Sequence, residues 1–240
     1  MPDQELATQE KQELAPVAIA PPIIMEGEES EDLVIPVCHI FHDAGNEAKE
    51  RGNHVKGTVL HSLTHEEIAM AVSPFKAHDL PPFLPLMFKG QYVAWEDERG
   101  NPPLYVCDSK AEVIASHPED LEWGSGKDGV GPRAQRVMNF IGIFEGHTEP
   151  MVIPFTKSAT KTGRALYTIM KANRTKLQTY VISITEKSGD KGAWYIFGRI
   201  RPAGPPREDL ADMANVWRPM LGSAEIAVEG MQQDGEDTPF

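Results

Sequence analysis

Residues 178–201 read QTYVISITEKSGDKGAWYIFGRIR, and this stretch decides the fold. Residues 178–185 are rich in β-branched side chains and residues 193–201 combine aromatic with branched ones, which predicts two strands. The polar segment 188–192 between them contains two glycines, a composition that is typical of a tight turn. The stretch therefore predicts a β-hairpin.

Upstream of this hairpin the pattern predicts a helix and three further strands. Residues 160–172 carry apolar side chains at helical spacing, and residues 137–144 and 149–155 are short apolar runs. Residues 89–95 form another candidate strand. Five strands with one helix between the third and the fourth is the arrangement of an OB-fold barrel. We therefore expect a mainly β protein with a five-stranded barrel at residues 85–205.

The flanking segments have a different composition. Residues 1–32 are rich in Glu and Pro, so we expect a disordered acidic arm. Residues 33–84 predict an irregular N-terminal extension, within which Thr64 and Glu67 have the spacing of a capping box at the start of a short helix. The polar, glycine-rich residues 108–133 predict a long loop. We expect residues 206–240 to form a short helix and a disordered acidic tail.

Charge is distributed unevenly along the 240 residues, whose formal net charge is −13. Residues 151–207 contain eleven basic and two acidic side chains, a net charge of +9. The other segments are acidic, with net charges of −8 for residues 1–35, −7 for residues 36–150 and −7 for residues 208–240. Because the local field decides where a phosphate backbone binds, the basic segment is a candidate nucleic-acid surface.

The last predicted strand combines aromatic and basic side chains on one face. Strict alternation places four of them together: Tyr195, Phe197, Arg199 and Arg201. The opposite face, with Trp194, Ile196 and Ile200, is then predicted to be core. Aromatic rings stack on bases and arginines neutralise phosphates, as single-strand binding requires. In the alternative interpretation, Tyr195 and Phe197 pack under a neighbouring loop and leave the two arginines merely solvated.

Six further basic residues extend this candidate surface along the predicted helix and its two ends. They are Lys157, Lys161, Arg164, Lys171, Arg174 and Lys176. A solvated helix usually mixes charges of both signs, and this one has almost no acidic neighbours, which favours binding of an anion. The alternative is a charged helix that simply faces solvent.

Two regions carry a resemblance to a known family. Residues 154–166 read PFTKSATKTGRAL, residues 180–185 read YVISIT and residues 192–195 read GAWY. The last ten residues are acidic and end in Pro-Phe, and their candidate partner-binding residues are Asp234, Glu236, Asp237, Pro239 and Phe240. In these features the chain resembles the OB-fold single-stranded-DNA-binding proteins of phages, with a tail similar to that of the bacterial ones.

The resemblance implies sequence-tolerant binding of single-stranded DNA during phage replication or recombination. It also implies that the tail recruits replication or recombination proteins, and that the protein works in the cytoplasm of the host cell. Two further readings remain open. One is a protein-interaction adaptor whose basic segment docks an acidic partner, and the other is a phage regulatory protein with an OB-like barrel that acts on a host polymerase.

Several function classes lack their usual sequence signals. The sequence contains no phosphate-binding glycine loop, no dinucleotide fingerprint and no nucleophile elbow, so we expect no enzyme activity and no cofactor. Cys38, His39 and His42 cluster, and His61 and His65 lie four residues apart, which leaves a structural zinc as an alternative. Because there is no Cys-x-x-Cys and no His-Glu-x-x-His motif, we expect no metal. No apolar run approaches the roughly 20 residues that span a bilayer, so we expect no membrane partner. The sequence leaves the oligomeric state open, with a homo-oligomer among the options.

Overall fold

The protein is mainly β, as the sequence predicts. The computed structural model describes residues 33–42, 54–70, 78–95, 103–126, 129–173, 176–189, 192–223 and 226–228. A curled antiparallel sheet forms a half-barrel, and three α-helices accompany it in this part of the chain. The curled sheet is consistent with an OB-like fold.

The strands and helices are numbered in chain order. The strands are β1 (Leu33–Ile35), β2 (Cys38–Ile40), β3 (Val59–His61), β4 (Glu67–Ala69), β5 (His78–Asp79), β6 (Phe83–Trp95), β7 (Pro103–Cys107), β8 (Gln135–Phe144), β9 (Met151–Phe155), β10 (Thr179–Gly189), β11 (Gly192–Gly204) and β12 (Ile226–Val228). The helices are α1 (Lys110–Ser116), α2 (Thr160–Ala172) and α3 (Glu208–Ser223).

The half-barrel sheet has the strand order β11-β10-β6-β8-β9, with β5 added beside β10 and β7 beside β6. All of these pairings are antiparallel. Each of the five predicted strands overlaps one of these strands, although β9 begins two residues and β10 one residue later than predicted, and α2 has the predicted bounds. β6 begins at Phe83 rather than at residue 89, because a bulge between Pro85 and Met87 lets the strand tolerate a proline.

The concave side of the sheet contains the main core. Phe83, Phe140 and Phe155 are fully buried there, together with Leu166 of α2. Gly163 allows the helix to approach β9 closely, because a Cβ at this position would lie 2.8 Å from the Cβ of Phe155. The helix between β9 and β10 therefore packs directly on the sheet.

The convex side is covered by α3 and by the pair β1–β12. Leu210, Ala214 and Leu221 of α3 are buried and lie at helical spacing along one face. The indole nitrogen of Trp217 donates a hydrogen bond to the carbonyl oxygen of Thr148 at 3.0 Å. Strands β1 and β12 pair in parallel, so the two ends of the described chain lie side by side.

The extension before β5 is more regular than the sequence predicts, since β2, β3 and β4 form a three-stranded antiparallel sheet. The predicted helix at Thr64 is wrong, because Glu67–Ala69 forms β4 and pairs with β3. The Thr64 hydroxyl accepts from the Glu66 backbone at 3.4 Å, and Glu67 bonds the His54 ring at 2.7 Å. Pairing with β3 and burial of Ile68 outweigh the local capping pattern.

The segment 108–133 is not the long loop that its composition predicts. It contains α1 and a 3-10 turn at Pro118–Leu121. The Ser109 hydroxyl caps α1 by accepting from the Glu112 backbone at 3.2 Å, and the Glu112 carboxylate accepts from the Asp108 backbone at 2.9 Å. These contacts resemble a capping box, and Val113 anchors the helix in a small separate core.

Candidate nucleic-acid interface

The two aromatic side chains predicted to stack on bases are buried. Tyr195 is 7% exposed and Phe197 is 4% exposed. The ring of Phe197 lies 5.7 Å from that of Phe155, and the turn at Gly57 covers Tyr195, with only 3.0 Å between the ideal Cβ position at Gly57 and the tyrosine ring. The assignment of these two residues to an open face is therefore wrong, and the structure has the alternative arrangement in which they pack under a neighbouring segment.

A β-bulge explains why strict alternation fails here. Phe197 pairs with Ile184 and Ile200 pairs with Ile182, so three residues of β11 span two residues of β10. The extra residue shifts the alternation, which places Ile200 on the same side as Phe197 and Arg201 on the opposite side. Gly198 lies at the bulge, where a Cβ would lie 2.7 Å from the Cβ of Thr185.

The Tyr195 hydroxyl is held inside the hairpin. It donates a hydrogen bond to Glu186 at 3.1 Å, across the two strands. Burial, and then the hydrogen bond to Glu186, raise the pKa of the Tyr195 hydroxyl. The turn at Gly57 covers the ring of Tyr195 and Glu186 accepts from its hydroxyl, so Tyr195 has a structural role.

The outer side of the same hairpin carries the exposed groups. Trp194 is 39% exposed and pairs with Lys187 across the strands, and Arg199 is exposed beside the bulge. Arg201 donates to Asp79 of β5 at 2.6 Å. The hydrogen bond from Ser183, and then that from Arg201, lower the pKa of Asp79. Of the two arginines that the sequence predicts to bind phosphate, Arg201 thus forms an ion pair within the protein.

The basic residues around α2 lie where the sequence predicts them. The exposed members are Lys157, Lys161, Arg164, Lys171 and Lys176, while Arg174 lies outside the described residues. Among the described residues, no carboxylate lies within 4.0 Å of their side-chain nitrogens, whereas Arg207 pairs with Glu145 at 3.1 Å and Lys89 with Asp108 at 3.7 Å. These exposed cations, the α2 surface below, thus have no carboxylate at short range in the part of the chain that the structure describes.

An aromatic pair that sequence reasoning missed lies beside these basic residues. Tyr167 of α2 is 40% exposed, and its ring centroid lies 4.7 Å from that of Phe88 on β6. A sequence signal exists, because Arg164, Tyr167 and Lys171 are spaced by three and four residues and therefore share one stripe of the helix. Phe88 carries no such signal, since it meets the helix only because β6 pairs with β8, the strand on which α2 packs.

Some of the predicted functional residues lie outside the part of the chain that the structure describes. Asp234, Glu236, Asp237, Pro239 and Phe240 lie outside the described residues, as does the arm at residues 1–32. In the described part of the chain, no group of three His, Cys, Asp or Glu side chains is arranged to hold a metal ion. Across the same ranges, no helix is both long and apolar enough to span a bilayer.

Comparison with known protein families gives a match to a family of phage proteins. The model of a protein family described as Pam3 phage gp34-like protein matches residues 25–226, which is most of the chain and includes the whole half-barrel. Neither a curated protein nor a solved structure matches the chain.

Proposed function

The chain belongs to the Pam3 phage gp34-like protein family, and from this premise we propose that it is a non-catalytic protein that binds single-stranded DNA. Binding is tolerant of sequence, because it depends on charge and on the faces of the bases rather than on base edges. The protein would then protect single strands during phage replication or recombination in the host cytoplasm.

The observation that carries the proposal is the unneutralised basic surface of α2. Lys161, Arg164 and Lys171 are exposed, and Lys157 precedes the helix in a 3-10 turn that contacts β11. A positive surface without short-range acidic partners among the described residues attracts a phosphate backbone and releases its counterions. The contact with β11 joins this surface to the strand that carries the exposed Arg199.

The strand order supports an OB-like architecture for this function. Numbered by position within the set β6, β8, β9, β10 and β11, the sheet order is 5-4-1-2-3, with α2 between the third and fourth strands. We propose that these five strands are the counterpart of an OB barrel, a fold that binds oligonucleotides. The sheet β2-β3-β4 contributes Cys38, Val59 and Ile68 to the core on the concave side.

The acidic tail is the second part of the proposal. Residues 229–240 carry four acidic side chains and no basic one. An acidic segment that contains the aromatic Phe240 fits a basic pocket on another protein, so we propose that it recruits replication or recombination proteins. The same charge competes with DNA for the α2 surface. Deleting residues 231–240 should therefore strengthen DNA binding at low salt.

The experiment is a fluorescence-anisotropy titration of a labelled dT oligonucleotide at several salt concentrations, with duplex of equal length as competitor. We expect salt-sensitive binding that the duplex displaces poorly. The triple variant Lys161→Gln, Arg164→Gln and Lys171→Gln should weaken binding and reduce the salt slope by about 2, since each phosphate contact to a single strand contributes about 0.7.

A matched control removes three positive charges elsewhere on the surface. Lys89→Gln, Lys110→Gln and Arg133→Gln change the net charge equally and leave α2 intact. If both triple variants weakened the affinity for dT equally, overall net charge would explain the effect, and the proposal that DNA binds at the α2 surface would be refuted. Absence of binding at low salt, with and without residues 231–240, would refute the function and favour a basic surface that docks an acidic protein.

A further inference from the structure

We infer that Tyr167, Phe88 and Arg136 form a nucleobase site, in which an unpaired base stacks on Tyr167 while Arg136 contacts the adjacent phosphate. The inference rests on the proposed function, because it names the place on the same surface where a base is bound. It moves the stacking role away from the buried pair Tyr195 and Phe197 to a pair that solvent reaches.

Tyr167 is the outer member of a row of rings that leads into the core. Its ring lies 4.7 Å from Phe88, and Phe88 in turn lies 5.1 Å from Phe140, which is fully buried. The inner rings hold Phe88, and Phe88 supports Tyr167 from one side. A ring that is already held in place loses little conformational entropy when a base stacks on it.

Gly90 leaves space next to these rings. A Cβ at Gly90 would lie 3.1 Å from Cζ of Phe88 and 4.0 Å from a guanidinium nitrogen of Arg136. Phe88 and Gly90 are two residues apart on β6 and therefore share one face of the sheet. Arg136 lies on the neighbouring strand β8. Because Gly90 has no side chain, the edge of the phenyl ring and the guanidinium are accessible together. Arg136 is exposed and has no carboxylate within 4.0 Å among the described residues.

The charges around Tyr167 match the chemistry of a nucleotide. Arg164 precedes Tyr167 by three residues and Lys171 follows it by four, so all three side chains share one stripe of α2. The two cations are separated by about 10 Å along the helix axis, given a rise of about 1.5 Å per residue. A base on Tyr167 therefore has a positive charge on both sides along the helix and a third at Arg136.

The most exposed aromatic side chain of the described residues lacks these features. Trp123 is 83% exposed and directly follows Glu122, in a segment that also contains Glu119 and Asp120. Acidic neighbours repel the phosphate that accompanies every base. Trp123 is therefore a suitable control for the effect of removing an exposed ring.

The test compares a dT oligonucleotide with an abasic oligonucleotide of equal length and charge. The wild-type protein should bind the dT strand more tightly. Tyr167→Leu should reduce the ratio of the two affinities by about 5-fold or more, because one stacked base contributes about 5- to 150-fold. Tyr167→Phe retains a ring and should keep the ratio, as should Trp123→Leu, and none of the three changes should alter the salt slope.

A second variant tests the space at Gly90 without removing a ring. Gly90→Val fills the gap between Phe88 and Arg136, so it should lower the dT-to-abasic ratio. Its Cβ lies 3.1 Å from Cζ of Phe88, so Phe88 has to shift by a few tenths of an ångström, and thermal unfolding of the variant checks that the fold is retained. Wild-type binding with a ratio that neither Tyr167→Leu nor Gly90→Val changes would overturn the site and leave the proposed function intact. Failure of the wild type to bind dT at low salt would refute the function itself.

Discussion

Two aromatic pairs of this protein have opposite environments. Tyr195 and Phe197 lie on a strand that also carries two arginines, yet both are buried under the concave side of the half-barrel. Tyr167 and Phe88 are far apart in the sequence, yet their rings are in contact beside the basic helix α2. Neighbouring charge therefore identifies the region of a binding surface, but packing decides which rings solvent reaches.

One glycine near each pair illustrates this difference. Gly57 has a φ of +88°, and the turn it permits lies directly on the ring of Tyr195. At Gly90 the nearest described atoms are those of the Phe88 ring and the Arg136 guanidinium, not those of a covering turn. Gly57 thus allows a turn to cover Tyr195, whereas Gly90 leaves space beside Phe88. The effect of a glycine on the exposure of a ring therefore depends on the segments packed around it.

The largest expected effect is on stability, at the buried pair. Phe197→Ala should lower the free energy of unfolding by about 3–5 kcal/mol, because it leaves a cavity in the main core. Tyr167→Ala should cost far less, since the ring is partly solvated. Urea denaturation of both variants checks the difference. Equal losses of unfolding free energy would show that the two pairs are similarly buried and would contradict the contrast between them.

The next effect concerns the bulge that turns Phe197 inward. Gly198→Ala should destabilise the protein by about 1–3 kcal/mol, because the new methyl group collides with Thr185 in a packed hairpin. Gly222→Ala in α3 is the control, since a Cβ there meets no atom within 4 Å, and it should be neutral or slightly stabilising. Thermal unfolding measures both, and a neutral Gly198→Ala would contradict the close contact.

A smaller effect is expected from the hydroxyl of the buried tyrosine. Tyr195→Phe removes the hydrogen bond to Glu186 and should cost about 1 kcal/mol of unfolding free energy without changing affinity for dT. Tyr167→Phe should alter neither quantity measurably. A loss of DNA affinity in Tyr195→Phe at full stability would return Tyr195 to the binding surface.

The smallest effect lies on the outer side of the hairpin, at the ion pair between Arg201 and Asp79. The hydrogen bond from Ser183, and then that from Arg201, lower the pKa of Asp79 from its ordinary 3.8, so the charged carboxylate stabilises the protein above that pH, and the contribution is lost as the pH falls through the lowered pKa. Both side chains are about half exposed, so the contribution at neutral pH is at most about 0.5 kcal/mol. Urea denaturation of Asp79→Asn should show a deficit in unfolding free energy at pH 7 that shrinks as the pH falls below 3.8, and a deficit that stays constant over this range would exclude titration of this carboxyl as its origin.

The helix caps show how far local sequence patterns reach. Thr64 and Glu67 have the spacing of a capping box but belong to a turn and a strand, because β3 offers backbone pairing and Ile68 becomes buried. Ser109 and Glu112 have the same spacing within a segment that looks like a loop, and there the cap forms. The pattern is identical, and the difference is whether a neighbouring strand competes for the segment.

The sequence by itself determined the mainly β class, the bounds of α2 and the location of the basic surface. These features follow from periodicity and from charge along the chain, which are local quantities. Only the tertiary structure decided the exposed face of β11 and the meeting of Tyr167 with Phe88. The bulge at Gly198 reverses the alternation within one strand, and the curl of the sheet brings β6 to the helix, so both depend on contacts between residues that are distant in the sequence.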